Sequence, residues 1–326
     1  MTDSVTNPAR WARLAESGLA GSTVLVTGGA GFIGSTLADV LTEVADVRII
    51  DDLSNGEQAY VPDDATFFEG DVRNSTLLDR AMRGVDVVFH QAGLVSVPAS
   101  IADPTANHER NTSATLRLLE RAKAEDARVV MASSTAIYGH PETIPTPEST
   151  IPRPESPYAV SKLSVDRYAH VYNEVYGLPT VALRYFNVYG PRQGGGGYSG
   201  VIDAFLSQAR DGGPLTVHGD GQQTRDFVHV SDVVQANIRA ATTDHVGRSF
   251  NVGTGSSISI RELAEHVCQL TDSELDIVHQ DSRAGDVEHS RADLTRAGDE
   301  LAYTPTVAVT DGLRDLVEHR RRRTEM

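Results

Sequence analysis

Short apolar runs alternate with amphipathic stretches along the chain as far as residue 184. The runs at Thr23–Thr27, 47–50, 65–69, 85–90, 129–132 and 180–184 read as strands of a sheet covered on both faces. Between them, helical spacing predicts helices over 35–44, Ser75–Met82, 105–124 and Pro157–Tyr176. Such alternation predicts an α/β fold with a doubly wound parallel sheet, whose ligands sit at the carboxyl ends of the strands. Past residue 200 the alternation stops. A helix at Val201–Arg210, a strand at 215–217 and a turn at Gly219-Asp220-Gly221 follow. Residues 249–253 read as a return to the first sheet, and 258–326 carry two or three helices, a strand at 275–279 and an arginine run at 320–323 that is expected to be a solvated helix end. This predicts an N-terminal extension over 1–21 with a short helix near 8–17. A Rossmann domain follows over 22–186 plus about 226–256, with a smaller C-terminal α/β lobe over 187–225 plus about 257–326. The glycine-rich stretch 193–200 is expected to be a mobile loop rather than a linker.

Composition narrows the setting. The 326 residues carry a formal net charge of −16, a field that makes nucleic acid an unsuitable partner. Lys123 and Lys162 are the only lysines, and arginine supplies the other 27 of 29 basic residues. A salt-adapted host and a GC-rich genome both account for that bias. Cys268, the single cysteine, leaves no intramolecular disulfide or multi-cysteine metal site, falls in a helical pattern and is read as core; no metal is expected. No run approaches the roughly 20 apolar residues of a membrane span, so the expectation is a cytoplasmic protein with no membrane partner.

Gly29, Gly31 and Gly34 form G-x-G-x-x-G after the first strand and at the opening of a helix. A tight turn and a close approach of pyrophosphate to backbone N–H groups are what that spacing permits. The second strand ends in Asp51, placed to bind a ribose 2′-hydroxyl and to repel a 2′-phosphate, which favours NAD over NADP. Asp52 is either part of that site or a solvated turn. The turn 70–72 is suited to the adenine, with Asp71 accepting from its amine. Ser134 ends the strand at 129–132 and its extension, with Ser133 ranked behind it because alternation turns it to the other face. Tyr158 and Lys162 lie one helical turn apart on one face. A nearby ammonium favours the phenolate and suits Tyr158 to base catalysis.

The segments T-G-G-A-G-F-I-G (27–34), S-S-T-A-I-Y-G (133–139), Y-A-V-S-K (158–162), R-Y-F-N-V-Y-G-P-R (184–192) and R-D-F-V-H-V-S-D (225–232) together resemble the extended short-chain dehydrogenase/reductase family. Its members are nucleotide-sugar epimerases and dehydratases, and within it the chain is most similar to the UDP-glucose 4-epimerases. The resemblance covers residues 23 to about 303 in order. It implies a bound NAD held by Gly28, Gly31, Phe32, Ile33, Gly34, Asp51, Asp71, Val72, Tyr158 and Lys162. It implies Tyr158 as the base at the sugar 4-hydroxyl, Lys162 as its activator and ribose ligand, and Ser134 on the 4-oxygen. It also implies Asn187, Arg225 and Arg283 near the diphosphate, Asp286 on the uridine ribose and Ser290 beside the sugar. The C-terminal lobe becomes the nucleotide-sugar lobe, and a homodimer would form through the helices at 105–124 and Pro157–Tyr176. Related dehydratases carry an acidic residue at the positions of Thr135 and Ala136, and uronate decarboxylases a glutamate; their absence points to plain epimerisation. Ser290, where glucose-specific relatives often carry a tyrosine, leaves room for an N-acetyl group. His90 and His229 are expected to be structural, and Tyr138 equally suits core packing.

Overall fold

The computed structural model of the chain describes residues 9–194, 200–271, 275–282 and 287–325. Its first strands are β1 (Thr23–Thr27), β2 (Asp46–Asp51), β3 (Thr66–Glu69), β4 (Val87–His90), β5 (Arg128–Ser134) and β6 (Thr180–Tyr185). Shorter strands follow as β7 (Asn187–Tyr189), β8 (Leu215–His218), β9 (Thr224–Arg225) and β10 (Phe227–His229), then β11 (Arg248–Val252), β12 (Ile258–Ser259) and β13 (Ile277–Gln280). One seven-stranded parallel sheet has the order β11-β6-β5-β4-β1-β2-β3. The direction of winding reverses between β1 and β4, which opens a crevice at their carboxyl ends. The return expected at 249–253 is β11, paired with β6.

The helices before the lobe boundary are α1 (Ala9–Leu19), α2 (Phe32–Leu41), α3 (Ser75–Met82), α4 (Val97–Ala102), α5 (Pro104–His108), α6 (Ala114–Glu125) and α7 (Pro157–Tyr176). Beyond it run α8 (Val201–Arg210), α9 (Val230–Thr242), α10 (Ile260–Leu270), α11 (Thr295–Leu301) and α12 (Val309–Glu325). Strand side chains alternate between two cores. Val24, Val26, Ile49, Phe89, Val130 and Val181 pack with residues of α1, α2 and α9, while Leu25, Ile50, Val88, Val129 and Ala182 pack with α3, α6 and α7. A third core of Ile202, Phe205, Leu215, Leu263, Val267 and Leu313 builds the smaller lobe.

Caps explain where the sequence boundaries hold. Ser156 accepts from the Ala159 N–H, Pro157 occupies the first turn, and Gly177 at φ 70° ends α7. Elsewhere packing overrides pattern. Residues 105–124, expected as one helix, are α5 and α6 joined by a π-helical turn at Glu109–Ser113. The chain before residue 21 is not merely appended: Ala15 and Leu19 are buried in the first core, and Trp11 Nε1 donates to Ser231 Oγ at 3.0 Å. Its polar composition conceals a narrow stripe, Trp11, Leu14, Ala15 and Leu19, at helical spacing. Arg320, expected to be solvated with its arginine neighbours, pairs with Asp203 on α8. Cys268 packs against the third core, as expected. Most of the glycine-rich loop, 195–199, lies outside the described residues. Among the described residues, no helix is long and apolar enough to cross a membrane.

If α1 is integral to the first core, Leu19→Ala removes packing from a site 1% exposed and costs about 2–4 kcal/mol in urea denaturation. A loss below about 0.5 kcal/mol would show a detachable helix.

Candidate active site

The carboxyl ends of the sheet strands floor a cleft of about 930 Å³, which the smaller lobe closes from above through Phe205, Thr216, His218, Arg225 and Ile260. Its first wall is the glycine turn. Gly28 turns the chain out of β1 at φ +69°, and a Cβ on Gly34 would lie 2.1 Å from the Gly28 carbonyl oxygen, so only glycine lets α2 start this close. A Cβ on Gly31 would meet only the Gly28 oxygen, at 3.3 Å; this position borders the cleft, and no side chain caps α2 there. The first N–H groups of α2 are therefore available to a phosphate. Asp51 binds the turn to β2: its carboxylate accepts from the Ala30 N–H at 2.9 Å and the Leu53 N–H at 2.8 Å. Burial raises its pKa, and those N–H groups oppose the shift. Asp71 and Val72 also line the cleft, and Asp71 holds the Arg73 guanidinium through both oxygens. That partner, with the Arg73 N–H, keeps the Asp71 carboxyl below its ordinary range.

The second wall carries Ser134, Tyr158 and Lys162, which converge on the cleft from β5 and α7. Ser134 Oγ accepts from the Ala136 N–H at 3.2 Å, capping the 3-10 turn Thr135–Tyr138. Ser133, ranked second, also borders the cleft, and its Oγ donates to the Lys162 carbonyl at 3.4 Å. Lys162 is buried, with Nζ donating to the Ala132 carbonyl at 2.8 Å and standing 6.0 Å from the centre of the Tyr158 ring. The one-turn spacing thus brings amine and phenol to one pocket.

His90 is structural. Thr115 Oγ1 donates to the Asn111 carbonyl, so it accepts from His90 Nε2, which leaves Nδ1 to accept from Thr27. Burial, with Lys162 adding repulsion, pulls the His90 pKa down to about 3. His229 caps α9 by accepting from the Ser231 N–H, and Tyr138 is core, its hydroxyl donating to Asn251 Oδ1 at 2.7 Å.

Two asparagines escaped the sequence reading. Asn107 Nδ2 donates to Ser161 Oγ and to the Pro157 carbonyl, at the start of α7. Asn111 accepts from the Leu94 N–H and donates to the Leu94 carbonyl and to Asn107 Oδ1. Asn111 lies within the π-helical turn, and Asn107 in the helical turn just before it. Asparagine four residues from asparagine in a helical stretch was the available signal, since neither favours a helix interior.

On the smaller lobe, Asn187 and Arg225 line the cleft. Asn187 Nδ2 donates to the Asp226 carbonyl at 3.1 Å. Asp226 itself is fully buried and accepts from Thr254, Gly255 and Ala292, so its carboxylate serves the lobe junction. Ser290 is buried beside Thr224, to whose carbonyl its N–H donates, and is not among the residues of the cleft wall. Arg283 and Asp286 lie outside the described residues. The glycine turn and the carboxylate at the end of β2, both on the cleft wall, fit the dinucleotide implied by the sequence.

Residues 24–253 match the NAD dependent epimerase/dehydratase family. A UDP-glucose 4-epimerase of Mycolicibacterium smegmatis is 36% identical, over 92% of this chain and 99% of that one. The solved UDP-N-acetylglucosamine 4-epimerase of Methanobrevibacter ruminantium, in complex with UDP-N-acetylmuramic acid, superposes with a TM-score of 0.90 at 36% identity, covering 94% of this chain and all of that one. The UDP-glucose 4-epimerase of Thermus thermophilus, solved with NAD, gives a TM-score of 0.85 at 37% identity over 92% and 99% of the two chains. With this likeness in sequence and fold, and the glycine turn, tyrosine and lysine in one cleft, the chain belongs to the NAD dependent epimerase/dehydratase family of extended short-chain dehydrogenase/reductases.

Proposed function

We propose that the protein is an NAD-dependent 4-epimerase of a UDP-hexose, acting on UDP-glucose and UDP-galactose or their N-acetyl forms through a transient 4-keto sugar. The observation that carries this reading is the meeting of Ser134, Tyr158 and Lys162 in the cleft that also holds the glycine turn, with Thr135 and Ala136 beside them. Bound against Gly28, Gly31, Phe32, Ile33, Gly34, Asp51, Asp71 and Val72, NAD supplies a reversible acceptor for the hydrogen on sugar C4. Tyr158 removes the 4-hydroxyl proton and later returns one. Ser134 donates to the 4-oxygen and steadies it as it becomes a carbonyl. Lys162 stays cationic near neutrality and favours the Tyr158 phenolate. Neither Thr135 nor Ala136 offers an acid, so nothing at those positions promotes elimination at C5 and C6. The described wall residues Leu94, Val95, Val97 and Phe186 carry no charge, which suits a neutral hexose better than a uronate. Asn187 and Arg225 hold the diphosphate on the smaller lobe, and the resemblance adds Arg283 and Asp286 to this anchor. Not itself a wall residue, Ser290 bears on substrate size through the space it leaves.

The division into a Rossmann domain and a nucleotide-sugar lobe follows the same reading. A homodimer is supported by Val160, Val171 and Val175 on the outer face of α7, exposed by 51%, 41% and 64%. The acidic, lysine-poor composition supports a salt-adapted host.

Purified protein should interconvert UDP-glucose and UDP-galactose without added reductant, at low or molar salt, with stereochemistry read by NMR. Tyr158→Phe should lower kcat by about 100-fold or more. A near-normal rate in that variant would remove the mechanism, and turnover of UDP-glucuronate alone would replace the substrate.

Light scattering should give twice the chain mass, and Val171→Glu with Val175→Glu should return the monomer; a monomeric wild type would remove the dimer.

Burial brings the Lys162 pKa from its ordinary 10.5 down to about 8. Between those values the folded protein binds fewer protons here than the unfolded chain, so this site's contribution to stability rises with pH. Thermal unfolding across that window should show a rising term that Lys162→Met lacks; parallel curves would contradict the buried ammonium.

A further inference from the structure

The two halves of the catalytic set stand on separate elements. Ser134 belongs to the turn that leaves β5, while Tyr158 and Lys162 belong to α7, and the chemistry requires a fixed separation between them. Arg184, on β6, reaches both. Its Nε and Nη2 donate to the two oxygens of Asp166 at 2.8 and 2.9 Å. Asp166 lies one helical turn beyond Lys162 on the same face of α7. Arg184 Nη1 donates to the Tyr138 hydroxyl and to the Glu148 carbonyl, each at 2.9 Å. Tyr138 closes the same 3-10 turn that Ser134 caps by accepting from the Ala136 N–H. Side-chain exposure is 4% for Arg184 and 2% for Asp166, so solvent does not weaken the pair. The network continues to β11: the Tyr138 hydroxyl donates to Asn251 Oδ1, and the Asn251 N–H donates to Glu148 Oε1 at 2.8 Å.

We propose that Arg184 is a positioning residue of the active site, its guanidinium holding the Ser134 turn and the Tyr158–Lys162 helix at the separation that catalysis needs. Arg184 touches neither sugar nor cofactor in this role. It acts through Tyr138 on one side and Asp166 on the other. A forked donor is required, because one planar group must meet a carboxylate with two N–H groups while a third reaches the phenol. The assignment rests on the epimerase reading for its catalytic consequence, while the mechanical linkage stands apart from it.

The test compares Tyr138→Phe and Arg184→Lys with Tyr303→Phe. Tyr303 is equally buried, and its hydroxyl donates to the Gly253 carbonyl at 2.8 Å, away from the cleft wall. It therefore controls for the loss of a buried hydroxyl as such. Tyr138→Phe should lower kcat by about 10-fold while leaving KM for the UDP-hexose within about two-fold. Hydrogen exchange should quicken at residues 134–138 in Tyr138→Phe, and at 157–166 as well in Arg184→Lys. Tyr303→Phe should keep the wild-type kcat and the wild-type exchange at both segments. An equal loss of kcat in both tyrosine variants, or unchanged exchange at 134–138 in Tyr138→Phe, would overturn the assignment. If the wild type turns over no UDP-hexose, the functional reading falls, and the exchange measurements alone decide the linkage.

Discussion

The Arg184–Asp166 pair is the constraint to which the working end of the molecule is tied. Both charges are almost free of solvent, and removing either partner would strand the other at a cost of about 3–5 kcal/mol. Packed apolar groups of the same shape would serve stability as well or better. What a guanidinium adds is direction: four of its N–H vectors address α7, the turn after β5 and the Glu148 loop together. The parallel sheet supplies a rigid platform. Its helices pack on two faces and leave the carboxyl edge to loops, and loops need such ties to hold a geometry.

The same logic runs through the cleft floor. Asp51 joins β2 to the glycine turn, His90 joins β1 to α6 through two threonine hydroxyls, and Asn107 joins α5 to the first turn of α7. Each tie crosses between elements distant in sequence and meets the hydrogen-bonding needs of buried groups. The proposed sugar wall is different, with Leu94, Val95, Val97 and Phe186 offering few directional contacts. A firmly built dinucleotide side and a plain sugar side suit a reaction in which the keto sugar must turn before reduction.

Much of the fold was legible. The G-x-G-x-x-G turn, the strands before and after it, and α8 follow from local pattern, and α3 and α7 from pattern and caps. The π-helical turn was not, and the partners of the two asparagines in and beside it lie on the Leu94 loop and α7, far off in sequence. Nor was the burial of α1, whose stripe of four residues is too short to stand out in a polar segment. Arg320 looked solvated beside other arginines, yet its partner is Asp203, far away in sequence. Among site residues, spacing alone put Tyr158 with Lys162. The position of Ser290 depends on how β9 and the chain after β13 pass each other, which no local pattern states.

Local steric and periodic rules act within a few residues. They were enough for the sequence by itself to determine the strand–helix alternation, the glycine turn, the helix carrying phenol and amine, and the family resemblance those segments carry. Tertiary structure alone decided which charges are buried together, which histidine is locked as a neutral ring, and that one arginine on β6 spans α7 and the turn after β5. Those outcomes depend on through-space distances between residues dozens of positions apart, where a few tenths of an ångström separate a hydrogen bond from a mere contact.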